Sequence, residues 1–336
     1  MASRNRAVRF VAPDRVELQE VPLPSVGPGE VLIRTRRSQI SAGTELTMLH
    51  GGPGLGVAWA EEIAFPQTPG YANVGVVEAV GEGGDSSWIG RRVATGVGHA
   101  ALVTSDSRWL RFIPDGVDDE AATFHALAVT ALNGIRRAKL ELGEAVVVAG
   151  LGVLGQLTAR LCALAGARAV VGLQRSPFRA GLLPAGAPFF ALSGDGPSVL
   201  EAVRRRCDGR LADVVFEVTG SGEAIPAQLA LLRPQGRFVV LGSPTGGTWF
   251  DFHDLCNRTS VTIVGAHVMS HPAVETADAP WTVLRHAELF FQFLASGRLH
   301  VGDLVTHRCP AEEAPLAYER LKTERDRTLA VVLQWS

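Results

Sequence analysis

The run Gly150-Leu-Gly152-Val-Leu-Gly155 constrains this chain more than any other stretch. It follows Ala145-Val-Val-Val-Ala149, a short β-branched apolar run of the kind that forms a parallel strand buried on both faces. It leads into Gln156 to Ala165, which reads as a helix ending at Gly166. A G-x-G-x-x-G between a strand and a helix is the setting of a dinucleotide-binding turn. Gly150 makes the tight turn, Gly152 lets a pyrophosphate approach the backbone, and Gly155 allows close helix–strand packing. Val153 and Leu154 complete the motif at the helix terminus that would hold the phosphates. The plainer alternative is a tight strand–helix turn with no ligand.

The same alternation continues downstream. Ala169-Val-Val-Gly-Leu173, Ala212-Asp-Val-Val-Phe-Glu-Val218 and Arg237-Phe-Val-Val-Leu-Gly242 are further strands separated by helical stretches, which implies a parallel α/β sheet. Upstream, to about residue 115, the pattern differs. Runs such as Val31–Arg36, Val74–Val80 and Arg92–Thr95 are broken by proline and glycine, as expected of a β-rich, barrel-like unit. Asp118-Asp-Glu-Ala-Ala marks the change, with acidic residues in a helix's first turn. The expected boundaries are 1–117, 118–265 and a return segment 266–336, which carries a helix near Leu284–Ala295 and a strand at Leu329–Leu333. A chain of 336 residues suits this division.

Composition narrows the partners. Thirty-two basic residues against 34 acidic ones leave no basic excess for nucleic acid or an anionic membrane. A hydrophobic fraction of 46% excludes general disorder. Cys162, Cys207, Cys256 and Cys309 are too far apart for a Cys-x-x-Cys pair or a dense disulfide framework. The amino terminus lacks the apolar core of a signal peptide, and no apolar run approaches bilayer length. A cytoplasmic protein acting on a small molecule is expected.

The end of the second α/β strand bears on the cofactor. A carboxylate there would grip the ribose 2′-hydroxyl of NAD and repel a 2′-phosphate. This chain has Gln174, followed by Arg175, Ser176 and Arg179, a set suited to a phosphate. NADPH is therefore the expected cofactor, the alternative being that both arginines are solvated loop charges.

The β-rich unit, the Gly150–Gly155 turn, Phe216-Glu-Val-Thr219-Gly220 and the closing segment together resemble the medium-chain alcohol dehydrogenase/reductase family, from about residue 20 to residue 333. The resemblance implies an α/β fold with a GroES-like catalytic domain and a doubly wound Rossmann domain. It also implies Thr219 and Gly242 beside the cofactor, and a homodimer or homotetramer. Zinc-dependent members carry Cys-Gly-Ser/Thr-Asp near residue 40, Gly-His-Glu near residue 70 and a later ligand. Here those positions read Ala42-Gly43-Thr44-Glu45, Gly70-Tyr71-Ala72 and, at or beside the third, His125. A methyl and a phenol do not hold Zn²⁺. The four-cysteine structural-zinc lobe is missing too, so no metal is expected.

Without a Lewis acid, the charge developing on a carbonyl oxygen during hydride transfer needs a proton donor or a set of hydrogen-bond donors. Tyr71 and His125 are candidate donors, Thr44 matches the family's proton-relaying hydroxyl, and Glu45 is placed to orient a partner. Each has a plainer role: Tyr71 as cleft wall, His125 as a packing or capping residue, Glu45 as an acceptor for backbone amides. His267 is a further candidate, whereas His50, His99, His253, His271, His300 and His307 read as loop, surface or packing residues.

Ile40-Ser-Ala-Gly-Thr-Glu45 and Pro69-Gly-Tyr-Ala-Asn-Val-Gly75 are similar to a zinc-free branch of specialised-metabolism reductases. The resemblance implies NADPH-dependent reduction of a ketone, or the reverse oxidation, on a polar natural-product intermediate such as an oxo-amino-sugar or cyclitol. Glu45, Glu61 and Glu62 are candidate partners for a substrate ammonium, the alternative for Glu61 and Glu62 being a solvated acidic face. The alternatives are a zinc-free enoyl or quinone reductase and a non-catalytic NADPH-binding protein.

Overall fold

The computed structural model describes residues 4–52, 58–61, 63–193 and 197–335. The chain divides into unit 1, residues 1–126 and 283–336, and unit 2, residues 127–282.

Unit 1 contains β1 (Asn5–Ala12), β2 (Arg15–Val21), β3 (Glu30–Ile40), α1 (Ala42–Leu49), α2 (Ala58–Glu61), β4 (Asn73–Val80), β5 (Arg92–Thr95), β6 (Leu102–Asp106), β7 (Arg111–Phe112) and α3 (Asp119–Ala122). The division falls within α4 (His125–Arg137). Unit 2 then holds β8 (Ala145–Ala149), α5 (Val153–Leu164), β9 (Ala169–Leu173), α6 (Pro177–Ala180), β10 (Phe189–Leu192), α7 (Pro197–Arg206), β11 (Ala212–Glu217), α8 (Ile225–Leu229), β12 (Leu232–Val240) and β13 (Thr262–Gly265). The chain returns to unit 1 with α9 (Val283–Ala295), β14 (Val305–Pro310), α10 (Ala314–Thr323) and β15 (Ala330–Gln334).

In unit 1 the strands run β14-β15-β3-β4-β5-β7, with β6 also on β3, and β1-β2 form a separate hairpin. The carboxy-terminal β15 lies antiparallel to β3, pairing Val331 with Ile40 and Leu333 with Ser38. Val8, Phe10, Ile40, Leu46, Leu49, Tyr318, Leu321 and Trp335 share one core, in which Phe10 meets Tyr318 edge to face at 5.2 Å. Full burial of such side chains stabilises by roughly 1.5–3 kcal/mol each.

Unit 2 is a six-stranded sheet in the order β10-β9-β8-β11-β12-β13, every pair parallel. This is the expected doubly wound arrangement. All five residues of β8 are buried, which explains the unbroken apolar run. The chain winds away from β8 toward one edge and returns to β11 for the other. That switch point puts a ligand crevice beyond the carboxyl ends of β8 and β11.

Two details differ from the sequence expectations. α5 starts at Val153 rather than Gln156, because Gly152 is already its N-cap. The contact-defined units meet at 126/127 and 282/283 rather than 117/118 and 265/266. Asp118 does cap a helix, accepting from the Glu120 and Ala121 amides, but that short α3 belongs with unit 1 through Arg92–Asp119 and Arg308–Glu120 ion pairs. After β13 the chain stays in unit 2, where Asn133 donates to the His267 carbonyl and Arg136 stacks on Trp281.

Candidate functional site

In unit 1, Ser41 is the N-cap of α1, yet its hydroxyl does not cap the helix. It hydrogen-bonds the Tyr71 phenol instead, and the Thr44 hydroxyl stands 3.3 Å from the same oxygen. The orphan amide of Ser41 is satisfied by Glu45, whose Oε1 accepts from it at 2.7 Å. Burial raises the Tyr71 pKa, the Ser41 and Thr44 hydrogen bonds oppose that rise, and the Glu45 charge adds to it. The phenol is therefore a protonated donor at neutral pH.

Glu45 is fully buried, and its second oxygen accepts from two more side chains. His99 Nε2 lies 3.0 Å away, and the Tyr318 hydroxyl donates to the same atom. Burial and then the Glu45 charge hold Tyr318 well above the ordinary phenol range. On the far side of the ring, His99 Nδ1 is 2.9 Å from Ser38 Oγ, which also accepts from Trp335 Nε1 at 2.9 Å. The carboxylate only accepts, so His99 carries a proton on Nε2 toward it, while Ser38 has the lone pairs to accept from the indole and the proton to give to Nδ1. The ring lies flat against Gly70, where an added Cβ would stand 2.7 Å from the imidazole. One histidine thus packs beneath the residue before Tyr71 while bonding the carboxylate that braces α1.

These contacts change two readings. Glu45 meets protein donors at both oxygens and is sealed from solvent, so it has no room for a substrate ammonium. His99 is the hub of the network rather than an ordinary loop or packing residue. Glu61 is exposed on α2, and Glu62 lies outside the described residues.

His125 is fully buried at the start of α4, with Arg111 Nη1 2.8 Å from its Nδ1. Burial first, and then the Arg111 charge, push its pKa well below the ordinary value; burial lowers Arg111 itself to about 10. No hydrogen bond or ion pair among the described residues joins His125 to the Tyr71 cluster. His267 is exposed in unit 2, where its ring accepts from the Met269 amide, the task of a cap.

Unit 2 builds its candidate site from backbone. Gly150 has φ +98°, and a Cβ there would meet the Val218 carbonyl carbon at 2.9 Å. A Cβ on Gly155 would lie 1.8 Å from the Gly150 carbonyl oxygen, so only glycine lets α5 begin this close to the turn. Gly152 faces open space, leaving room at the helix start beside Val153 and Leu154. Gln174 turns back to accept from the Arg175 amide at 2.9 Å, and Arg175 is exposed. The Ser176 hydroxyl oxygen is buried without a hydrogen-bond partner, while the Arg179 carbonyl accepts from Gln156.

At the end of β11, buried Glu217 accepts from the Thr219 amide at 2.6 Å, the Gly220 amide at 3.0 Å and the Thr219 hydroxyl. The Thr219 side chain is thus spent on this turn rather than held out for a ligand. Gly242 permits close approach, since a Cβ there would stand 2.9 Å from Glu217 Oε2.

Residues 27–125 match the alcohol dehydrogenase GroES-like domain, and residues 153–282 match the zinc-binding dehydrogenase domain. Together they span about two thirds of the chain. It belongs to the medium-chain dehydrogenase/reductase family. This medium-chain oxidoreductase is 24% identical to an alcohol dehydrogenase of Cupriavidus necator, over 99% of this chain and 100% of that one. In fold it is similar to a short chain alcohol dehydrogenase of Escherichia coli CFT073 complexed with NADH, with TM-score 0.83, 15% identity and coverage of 99% and 100%. It is also similar to a protein of Sinorhizobium meliloti 1021 bound to NADP, with TM-score 0.79, 20% identity and 99% of each chain covered.

The family's zinc does not fit the residues present. Ala42 offers a methyl group, and Tyr71 is engaged as a protonated phenol with Ser41. Among the described residues, no group of three or more His, Cys, Asp or Glu side chains is arranged to hold a metal ion. No helix among them is long and apolar enough to cross a membrane.

Proposed function

We propose that this family member is a zinc-independent, NADPH-dependent oxidoreductase that reduces a ketone, or oxidises the matching alcohol, on a polar intermediate such as an oxo-amino-sugar or cyclitol. The observation that carries the reading is the hydroxyl cluster Ser41–Tyr71–Thr44, in which Tyr71 stands at the place of a zinc-ligating histidine and Thr44 at that of the family's proton-relaying hydroxyl. A bound nicotinamide supplies the hydride. Tyr71 then gives a proton to the carbonyl oxygen as charge develops there, with Ser41 and Thr44 holding the phenol in place.

The cofactor reading rests on the open helix start at Gly152 and the unpartnered Ser176 hydroxyl beside Arg175. Val153 and Leu154 would present amides to the pyrophosphate, and Gln174, Arg175, Ser176 and Arg179 would surround a 2′-phosphate. The solved relatives carry NADH in one case and NADP in the other, so the choice falls to these side chains. We place the protein in the cytoplasm, consistent with its free cysteines, and as a homodimer or homotetramer. β13 supports the assembly, as an edge strand with Ile263 exposed at 45%.

Turnover of NADPH with oxo-sugars, quinones and enones tests the reaction class. Reduction of the oxo-sugars supports the reading. Turnover confined to quinones or enones would replace it with the alkene-reducing alternative, and binding without any turnover would mark a non-catalytic protein. Arg175→Ala should weaken NADPH roughly 10- to 100-fold, the worth of a lost charged hydrogen bond, and leave NADH affinity nearly unchanged. Equal affinities for both cofactors in the native protein would remove the phosphate-pocket claim.

A further inference from the structure

α1 opens on half of a capping box. In the complete motif the N-cap hydroxyl accepts from the third amide of the helix, while an acidic side chain reaches back to the N-cap amide. Here Glu45, one position later than usual, accepts from the Ser41 amide at 2.7 Å, but the Ser41 hydroxyl makes no cap bond. The two threonines of α1 divide in the same way. Thr47 spends its Oγ1 on the Gly43 carbonyl at 2.8 Å, the ordinary bond of a threonine within a helix, whereas Thr44 Oγ1 turns to Tyr71. The first turn of α1 gives up a stabilising bond, and both of its hydroxyls meet one phenol oxygen.

Burial fixes the direction of the serine bond. Ser41 is only 7% exposed, and among the described residues its hydroxyl has no partner but Tyr71. A hydroxyl carries one proton, and a buried donor without an acceptor is costly. Were the phenol the donor, the Ser41 proton would be left in that state, so Ser41 donates. Tyr71 and Thr44 are only half-buried, and 3.3 Å is long for a bond between hydroxyls. The phenol proton is therefore free for an oxygen arriving from outside the cluster. Burial raises the Tyr71 pKa most, and the Ser41 bond opposes that rise more than the Thr44 bond does.

We propose that Ser41 is a positioning residue whose fixed donation to the phenol reserves the Tyr71 proton for the substrate oxygen and steadies the phenolate left when it goes. This rests on the reading of Tyr71 as the proton donor. In that step the hydride joins the carbonyl carbon, the Tyr71 O–H bond breaks, and its proton completes the alcohol. The phenolate then accepts from both hydroxyls and regains a proton from solvent. Ser41 passes none on, because no second group stands behind it to replace the proton.

The test uses the full-length protein labelled with ¹³Cζ-tyrosine. The chain has two tyrosines, and the Tyr71 signal is the one missing from Tyr71→Phe. Its shift follows ionisation of the phenol as the pH is raised. Ser41→Ala should move that titration to higher pH. It should also lower kcat for ketone reduction about 10- to 100-fold, the worth of a hydrogen bond to a charged oxygen, with KM nearly unchanged. Its urea midpoint should stay close to the native value because no cap is lost, where an ordinary N-cap serine would show a clear fall. Ser41→Thr, which returns a hydroxyl, should recover the native titration and most of the rate. A Tyr71 titration indifferent to Ser41→Ala, or a variant that loses stability with kcat unchanged, would overturn the proposal. The titration shifted as described, with full ketone reduction retained by Tyr71→Phe, would instead overturn Tyr71 as the donor and leave the direction of the Ser41 bond standing.

Discussion

Glu45 and Glu217 are both 0% exposed, yet the donors around them come from very different distances along the chain. Glu217 takes its partners from the two or three residues that follow it, and its Oε2 has no partner. Glu45 takes one donor from Ser41 beside it and two from His99 and Tyr318, which stand 54 and 273 positions away. One carboxylate shapes its own turn. The other joins three separated parts of unit 1 beneath the Tyr71 cluster. A buried acid in this protein is therefore either a local turn device or a long-range brace, and the number of occupied oxygens tells which.

An isosteric change separates the two roles. In Glu45→Gln, either orientation of the amide puts an NH₂ against a donor, and the charge that strengthened the remaining bonds is gone. Leaving a buried donor unmet costs about 1–3 kcal/mol, so urea unfolding should show a loss of about 2–3 kcal/mol. Ketone turnover should fall with it, because Ser41 and Tyr71 lose their brace. Glu217→Gln should cost less than about 1 kcal/mol in the same assay, because the amide can place its oxygen toward Thr219 and Gly220 and its nitrogen at the unpartnered position. Equal losses would erase the distinction between the two carboxylates.

The same contrast explains what was legible in the sequence. Ala145–Ala149 reads as a buried strand because every residue of it is buried, and the Gly150–Gly155 turn reads from spacing because Gly155 must clear the Gly150 carbonyl five residues back, although Gly150 itself is also held close to Val218. The start of α5 was misplaced by three residues, since Gly152 caps through its backbone and carries no side-chain signal. Thr44, Glu45 and Tyr71 come together as their motif frame implies. His99, Ser38 and Trp335 were not found, because their partners are set by strand pairing far apart in the chain. One signal was present. The chain has only two tyrosines, Tyr71 and Tyr318, and both belong to the network built around Glu45. Nothing in Leu110-Arg-Phe112 marks Arg111 as an arginine whose partner is the His125 imidazole at the start of α4.

If the protonated Tyr71 hydroxyl, held by Ser41 and Thr44, does the work that zinc does elsewhere in the family, ketone reduction needs no metal. The most direct measurement is the rate of NADPH-dependent ketone reduction by the native protein before and after exhaustive chelation, with metal content determined on the same samples. The rate should be unchanged at substoichiometric metal. A rate that is lost on chelation and returns on adding zinc would contradict that role for Tyr71.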